Sequence, residues 1–260
     1  MNMHLSGNLA FNVFNSREIL ARRLAHRICQ LVEDRREHGS RFVLCLAAGS
    51  SPMALYMELV RRHVENGFSF SSCTLFSLDE YYPMLCTSRN SFYRSLHGIA
   101  GQLDVPKEHI TLVRGDMDRA DVEKYCEDYE ASVAQAGGID FLILGIGRNG
   151  HIGFNEPGTG PRERTRLVKL NDDTRFDAAG SFGGIENVPS EAITMGTATI
   201  LGAREIAMIV TGRKKSPILK QLLECSVTSD IPASYLKDHA SVTVYADIDA
   251  APGQLTKRSS

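Results

Sequence analysis

What this 260-residue chain lacks narrows its function first. Lys plus Arg number 29 against 31 for Asp plus Glu, a formal net charge of −2. With no basic surplus there is no electrostatic footprint for nucleic acid. The six cysteines (Cys29, Cys45, Cys73, Cys86, Cys126, Cys225) show no C-x-x-C spacing, and two lie in apolar runs. Buried free thiols in a reducing compartment are expected, ahead of disulfides or a zinc site. No basic segment followed by an apolar one opens the sequence, and no apolar run approaches membrane-spanning length. A soluble, cytoplasmic protein with no membrane partner is therefore expected. The G-x-S-x-G elbow of a serine hydrolase is missing too. No repeat, low-complexity tract or linker divides the chain, and its length suits a single core.

What is present has a regular order. Residues 16–36 place Ile19, Leu20, Leu24, Ile28 and Leu31 at helical spacing behind Ser16, a candidate N-cap. Apolar runs then end in glycine or charge four times, in "RFVLCLAAGSSP", "CTLFSLDEYYP", "DFLILGIG" and "EIAMIVTGRKKSP". The first and last pass straight into helical patterns, and "SVTVYAD" reads as a final strand. Apolar strands alternating with helices predict an α/β fold: one domain over 1–260, with a mainly parallel sheet covered by helices on both faces. Ligands of such sheets bind beyond the carboxyl ends of the strands. That rule gathers Gly49 to Ser51, Asp79, the glycine-rich stretch 145–160 and Gly212 to Lys215 on one rim.

The stretch "GIGRNGHIGFNEPGTG" concentrates six glycines around Arg148, Asn149, His151, Asn155 and Glu156. Gly145, Gly147 and Gly150 spell G-x-G-x-x-G after a strand, as in dinucleotide-binding folds. The helix such a site needs is excluded, because Gly153, Pro157, Gly158, Gly160 and Pro161 occupy its place. A loop remains, in which His151 and Glu156 are close enough in sequence for an orienting hydrogen bond. "AAGSSP" offers backbone N–H groups and hydroxyls to a phosphate, or else a turn and a helix cap. Lys214 and Lys215 begin a helix, which the dipole disfavours unless an anion is near; solvated surface lysines are the alternative. Asp79 and Glu80 close a strand and point to opposite faces, so one of them can meet a ligand. A carboxylate, a histidine and a phosphate site together suit proton abstraction beside a carbonyl.

Taken together, "GIGRNGHIGFNEPG", "FSLDEYYP", "AAGSSPMALY", "AITMGTATIL", "VTGRKKSPILKQLLE" and "IPASYLKDH" resemble the glucosamine-6-phosphate deaminase (isomerase) family over roughly residues 16–246. The resemblance implies a modified Rossmann-like fold that converts an amino-sugar 6-phosphate and water to a ketohexose 6-phosphate and ammonia. No metal or organic cofactor is implied; the expected partner is a small sugar phosphate, and a homo-oligomer is compatible with it. Position by position, Asp79 matches the base moving the proton from C2 to C1, and His151 the group opening the pyranose ring. Glu156 matches the carboxylate partnering that histidine. Gly49, Ser50 and Ser51 match the phosphate turn, and Lys215 the phosphate-pairing lysine.

Two departures stand out. Asn149 occupies the position where glucosamine-6-phosphate members carry Asp, and an amide cannot hold a negative charge beside the histidine. Restoring the acid by Asn149→Asp is expected to speed ring opening, while Arg-Asn-Gly-His also resembles enzymes assigned to galactosamine 6-phosphate. Gly180 stands where the family commonly has a phosphate-binding Arg, so weaker phosphate binding is expected, with Arg175, Lys215 and Arg213 as candidate compensators. Arg166-Leu167-Val168 replaces the Arg-x-Lys of allosteric hexamers, and the tail "APGQLTKRSS" resembles the non-allosteric branch. The other readings are a 6-phosphogluconolactonase-like hydrolase and a non-catalytic sugar-phosphate-binding protein.

Overall fold

The computed structural model describes residues 3–4 and 8–253. The amino-terminal half runs β1 (Met3–His4), β2 (Leu9–Phe14), α1 (Arg17–Glu37), β3 (Phe42–Leu46), α2 (Met53–Asn66), β4 (Cys73–Ser77), β5 (Asp79–Tyr82), α3 (Phe92–Ala100), β6 (Ile110–Thr111) and α4 (Val122–Gln135). The second half adds β7 (Phe141–Leu144), β8 (Arg166–Lys169), α5 (Asp172–Phe182), β9 (Glu191–Thr194) and α6 (Thr197–Leu201). It ends with β10 (Glu205–Val210), α7 (Ser216–Glu224) and β11 (Val242–Asp247). Among the described residues no helix is long and apolar enough to cross a membrane. All six cysteines are unpaired.

Eight strands form the main sheet in the order β1-β2-β11-β10-β7-β3-β4-β6. Only the β1–β2 pair is antiparallel. Every residue of β3, β4 and β7 is buried, as strands covered on both faces must be. The chain builds outward from β3 through β4 to β6, then returns to place β7 on the other side of β3 and continues to β10 and β11. The order therefore reverses between β3 and β7, where a doubly wound sheet opens a crevice. The helix expected over 16–36 is α1, with Ser16 Oγ accepting from Ile19 N at 3.3 Å. Its core face is Leu20, Leu24, Ile28 and Val32; Ile19, counted in that face from spacing, is exposed.

The "LDEYY" segment departs from expectation. Asp79 and Glu80 do not end a strand; they begin β5, which leaves the main sheet and joins an antiparallel sheet of order β5-β9-β8. Leu78 is the joint, accepting from Met195 N and donating to Leu46 O. This second sheet carries its own apolar cluster of Tyr81, Met84, Phe154, Leu170, Val188 and Ala192. Tyr81 packs on Phe92, Phe154 and Phe182 with ring centroids 4.9–5.2 Å apart. Alternation along β5 sends the two carboxylates apart. Glu80, 0% exposed, meets the start of α3, accepting from Ser91 Oγ at 2.6 Å, Phe92 N at 3.1 Å and Tyr93 N at 2.8 Å.

Glu80 thus satisfies amide groups that the first turn of a helix leaves without partners. Glu80→Ala should lower the unfolding free energy by about 1–3 kcal/mol, the usual cost of leaving buried donors without their acceptor. Urea denaturation measures it, and a change below about 1 kcal/mol would show that α3 does not depend on this carboxylate.

Candidate active site

At the crevice between β3 and β7 lies a cavity of about 280 Å³. Gly49, Ser50 and Ser51 reach it from the turn after β3, Asp79 from the start of β5, His151 from the loop after β7, and Lys215 from the turn after β10. These are six of the eight side chains or turns singled out in the sequence. Asn149 and Glu156 stand behind His151, outside the residues that line the cavity.

The 145–160 loop is a fixed structure. A Cβ on Gly147 would come within 2.2–2.4 Å of three ring atoms of His151, so only glycine lets that ring lie against the chain. Gly150 (φ +88°) would meet Ile231 at 2.7 Å, and Gly153 (φ +57°) would meet Thr194 Oγ1 at 2.8 Å. Both also hold a left-handed backbone that side chains disfavour. Phe154 anchors the loop in the second apolar cluster. Asn155, one of the polar side chains among these glycines, is fully buried. Its Nδ2 donates to Ile152 O and Met195 O, and its Oδ1 accepts from Arg166, so its task is to hold the loop on β8 and β9.

Glu156 organises the histidine. Its Oε2 lies 3.4 Å from His151 Nδ1 and accepts from Asn149 Nδ2 at 2.9 Å, while Oε1 accepts from Asn171 N at 3.2 Å. Burial alone would raise this carboxyl, but hydrogen bonds from His151, Thr174 and Asn149 and the charge of His151 outweigh it and hold the group at about 2. The resulting stabilisation is complete above the ordinary carboxyl range and is lost as pH falls towards about 2. Thr174 Oγ1 sits 3.3 Å from His151 Nδ1. With Nδ1 facing these partners, the histidine presents Nε2 to the cavity. Asn149 fits because it both donates and accepts: its Oδ1 takes the His151 backbone N–H at 3.1 Å. An aspartate could only accept, and would set a second carboxylate against Glu156. The expectation that Asn149→Asp speeds ring opening is revised on that ground.

Asp79 is the opposite case. Burial, with the Glu80 charge as a lesser cause, pushes its carboxyl up to about 8. Tyr81, Phe92 and Phe154 share its cavity wall, and such apolar surroundings penalise the ionised form.

At the other end, Gly49 takes φ +105°. Pro52 is the N-cap of α2 and no side chain caps it, so the reading of Ser50 or Ser51 as a cap is set aside; Ser51 Oγ accepts from Thr211 Oγ1 at 3.1 Å. Lys215 Nζ donates to Ile146 O at 2.7 Å, and burial lowers its pKa. Two candidate compensators for Gly180 lie elsewhere. Arg175 Nη2 donates to Ile185 O and Val188 O, and Arg213, 89% exposed, faces Asp249 at 3.9 Å.

Spacing did not reveal Thr174 or the backbone N–H of Asn171; both belong to the start of α5, whose only buried residue is Thr174. Three larger hollows, of about 790 Å³ along α4 and β8, about 780 Å³ at the amino ends of the strands and about 550 Å³ between α1 and α2, hold no histidine–carboxylate pair backed in this way. Chemistry, rather than volume, picks out the site.

Comparison with known proteins identifies the chain's relatives. The family described as glucosamine-6-phosphate isomerases/6-phosphogluconolactonase matches residues 15–245. A glucosamine-6-phosphate deaminase of Halalkalibacterium halodurans is 40% identical over 225 residues, covering 86% of this chain and 91% of that protein. A glucosamine-6-phosphate deaminase-like protein of Bacteroides thetaiotaomicron is 37% identical over 241 residues, 92% of this chain, which spans only 36% of that longer relative. The solved structure of a monomeric glucosamine-6-phosphate deaminase superposes with a TM-score of 0.87 at 35% identity, covering 92% of this chain and 98% of its own. The chain therefore belongs to the glucosamine-6-phosphate isomerase/6-phosphogluconolactonase family.

Proposed function

We propose that this protein is an amino-sugar 6-phosphate deaminase, acting hydrolytically on glucosamine 6-phosphate to give fructose 6-phosphate and ammonia. The observation that carries the reading is one cavity pairing a desolvated carboxylate, Asp79, with an imidazole anchored at Nδ1, His151. Relatives named for this activity support it. Six unpaired thiols suit a reducing cytoplasm, the location proposed here.

The route follows from the residues. Nε2 of His151 takes the proton of the anomeric hydroxyl and returns it to the ring oxygen as the C1–O5 bond breaks, giving the open aldehyde. Asp79 removes the C2 proton as the carbonyl oxygen at C1 gains one, giving the enolamine, and then delivers its proton to C1 as the amine nitrogen gives one up, leaving a 2-imino sugar. Water adds at C2 and ammonia leaves, so one water is consumed for each ammonia released. Glu156 holds the imidazole and disperses its charge while it carries the proton. The Gly49–Ser51 turn and Lys215 hold the phosphate. The galactosamine epimer is the second reading, favoured by Arg148-Asn149-Gly-His.

Incubating the protein with each epimer and measuring ammonia and ketose phosphate tests the proposal; ligand-induced thermal stabilisation without product from either would make it a binding protein instead. As the base must be ionised, kcat/KM should rise with pH towards about 8. A flat profile from pH 5 to 8 would remove Asp79 from that role. Between the ordinary carboxyl value and about 8, the folded state keeps a proton that the unfolded chain releases, so this group disfavours folding more as pH rises through that window. Asp79→Asn should therefore abolish C2 exchange with solvent while its stability advantage over wild type grows from pH 4 to pH 8. Asn149→Asp should slow turnover and lower Tm at neutral pH, because it sets two carboxylates together; an unchanged Tm would show that the site absorbs the charge.

A further inference from the structure

The phosphate end of the cavity lacks the guanidinium that position 180 would supply, and the loop beside it holds an arginine with no role so far. Arg148 Nε donates to Asp177 Oδ2 at 2.8 Å, and its Nη2 donates to Asp177 Oδ1. Asp177 lines the cavity together with Lys215 and the Gly49–Ser51 turn. It lies three residues before Gly180 on α5, hence on the same helix face. Burial dominates the environment of Lys215, with Asp177 favouring its charge and Arg148 opposing it; Arg148 itself is not among the residues lining the cavity and stands behind Asp177, which is. Without Arg148, Asp177 would cancel Lys215, leaving no net positive charge for a phosphate dianion. With Arg148 paired in this two-point geometry, one positive charge remains, and Nη1 of the guanidinium keeps its hydrogens for a further acceptor.

We propose that Arg148 is a phosphate ligand of this cavity, held in place by Asp177, and supplies from the catalytic loop the guanidinium that Gly180 cannot supply from α5. This rests on reading the cavity as a sugar-phosphate site. A dianion held between the turn and Lys215 would reach this guanidinium at the rim of the cavity, next to Asp177, which already fixes its orientation.

Calorimetric titration with inorganic phosphate tests the assignment without requiring turnover. Arg148→Ala should weaken phosphate binding about tenfold or more and raise KM for the amino-sugar phosphate with kcat little changed. Removing Arg148 also uncovers Asp177, so the paired variant Arg148→Ala/Asp177→Ala decides between two roles. Binding still weakened in the pair supports a direct ligand; binding restored to the wild-type level means Arg148 only masks Asp177 and overturns the proposal. Arg148→Ala/Gly180→Arg should recover affinity, since a Cβ at 180 meets nothing within 4 Å. Arg148-dependent phosphate binding in a protein that releases no ammonia would sink the deaminase reading alone. Turnover with Arg148-independent phosphate binding would sink this proposal alone, and a wild type that binds no phosphate would sink both.

Discussion

One buried carboxylate holds the site together. Glu156 receives Asn149, His151 and the Asn171 backbone N–H, joining the loop after β7 to the first turn of α5. A carboxylate this buried is tolerated only when its oxygens are paired. The same pairing fixes the imidazole, because the donor facing Glu156 determines which nitrogen is left for the cavity. The loop conformation, the histidine tautomer and the seating of α5 are thus three consequences of satisfying one anion.

Asp79 and Glu80 show how strand alternation divides labour between neighbours. Both are acidic and both are buried, yet one step along β5 reverses their surroundings. Glu80 meets the amides of α3 and becomes structural. Asp79 meets a cavity walled by aromatic rings and keeps its proton to about 8. Raising a carboxyl in this way costs stability, and the Glu80 charge beside it adds to that cost, while burial also raises Glu80 against the hydrogen bonds that lower it. The catalytic candidate is therefore the poorly paired carboxylate, and the better paired one supports it.

The centre of the main sheet was legible because β3, β4, β7 and β10 are apolar runs followed by glycine or charge, and the reversal between β3 and β7 then gathers the runs' ends; β1, β2 and β6, short or mixed in polarity, were not read as strands. Nor was the second sheet legible. Its strands are four residues long, β8 is only partly buried, and β5 pairs with a segment more than a hundred residues away. Nothing local in "DEYY" or "RLVK" distinguishes such strands from loop. For the same reason Asp79 read as the end of a strand rather than the start of one. Candidate residues with chemical character, His151, Glu156, Asp79 and Lys215, were visible in the chain. Thr174 and the Asn171 amide, which act by position alone, were not.

The glycines of the 145–160 loop carry a wider point about motif reading. In a dinucleotide fold, G-x-G-x-x-G lets backbone approach a pyrophosphate and a helix start at once. Here Gly147 yields its space to the His151 ring, and Gly150 yields its space to Ile231. Gly150 also takes a left-handed turn, while a Cβ on Gly145 would meet nothing within 4 Å, so that side of the chain faces open space. At Gly147 and Gly150 the motif's spacing arises from side chains crowding the chain rather than from a ligand crowding it. What separates the two cases is the residue that fills the vacated volume. Where it is the protein's own imidazole, the vacated space belongs to the histidine, and the cavity keeps its own room between His151 and the strand ends that carry Ser51 and Lys215.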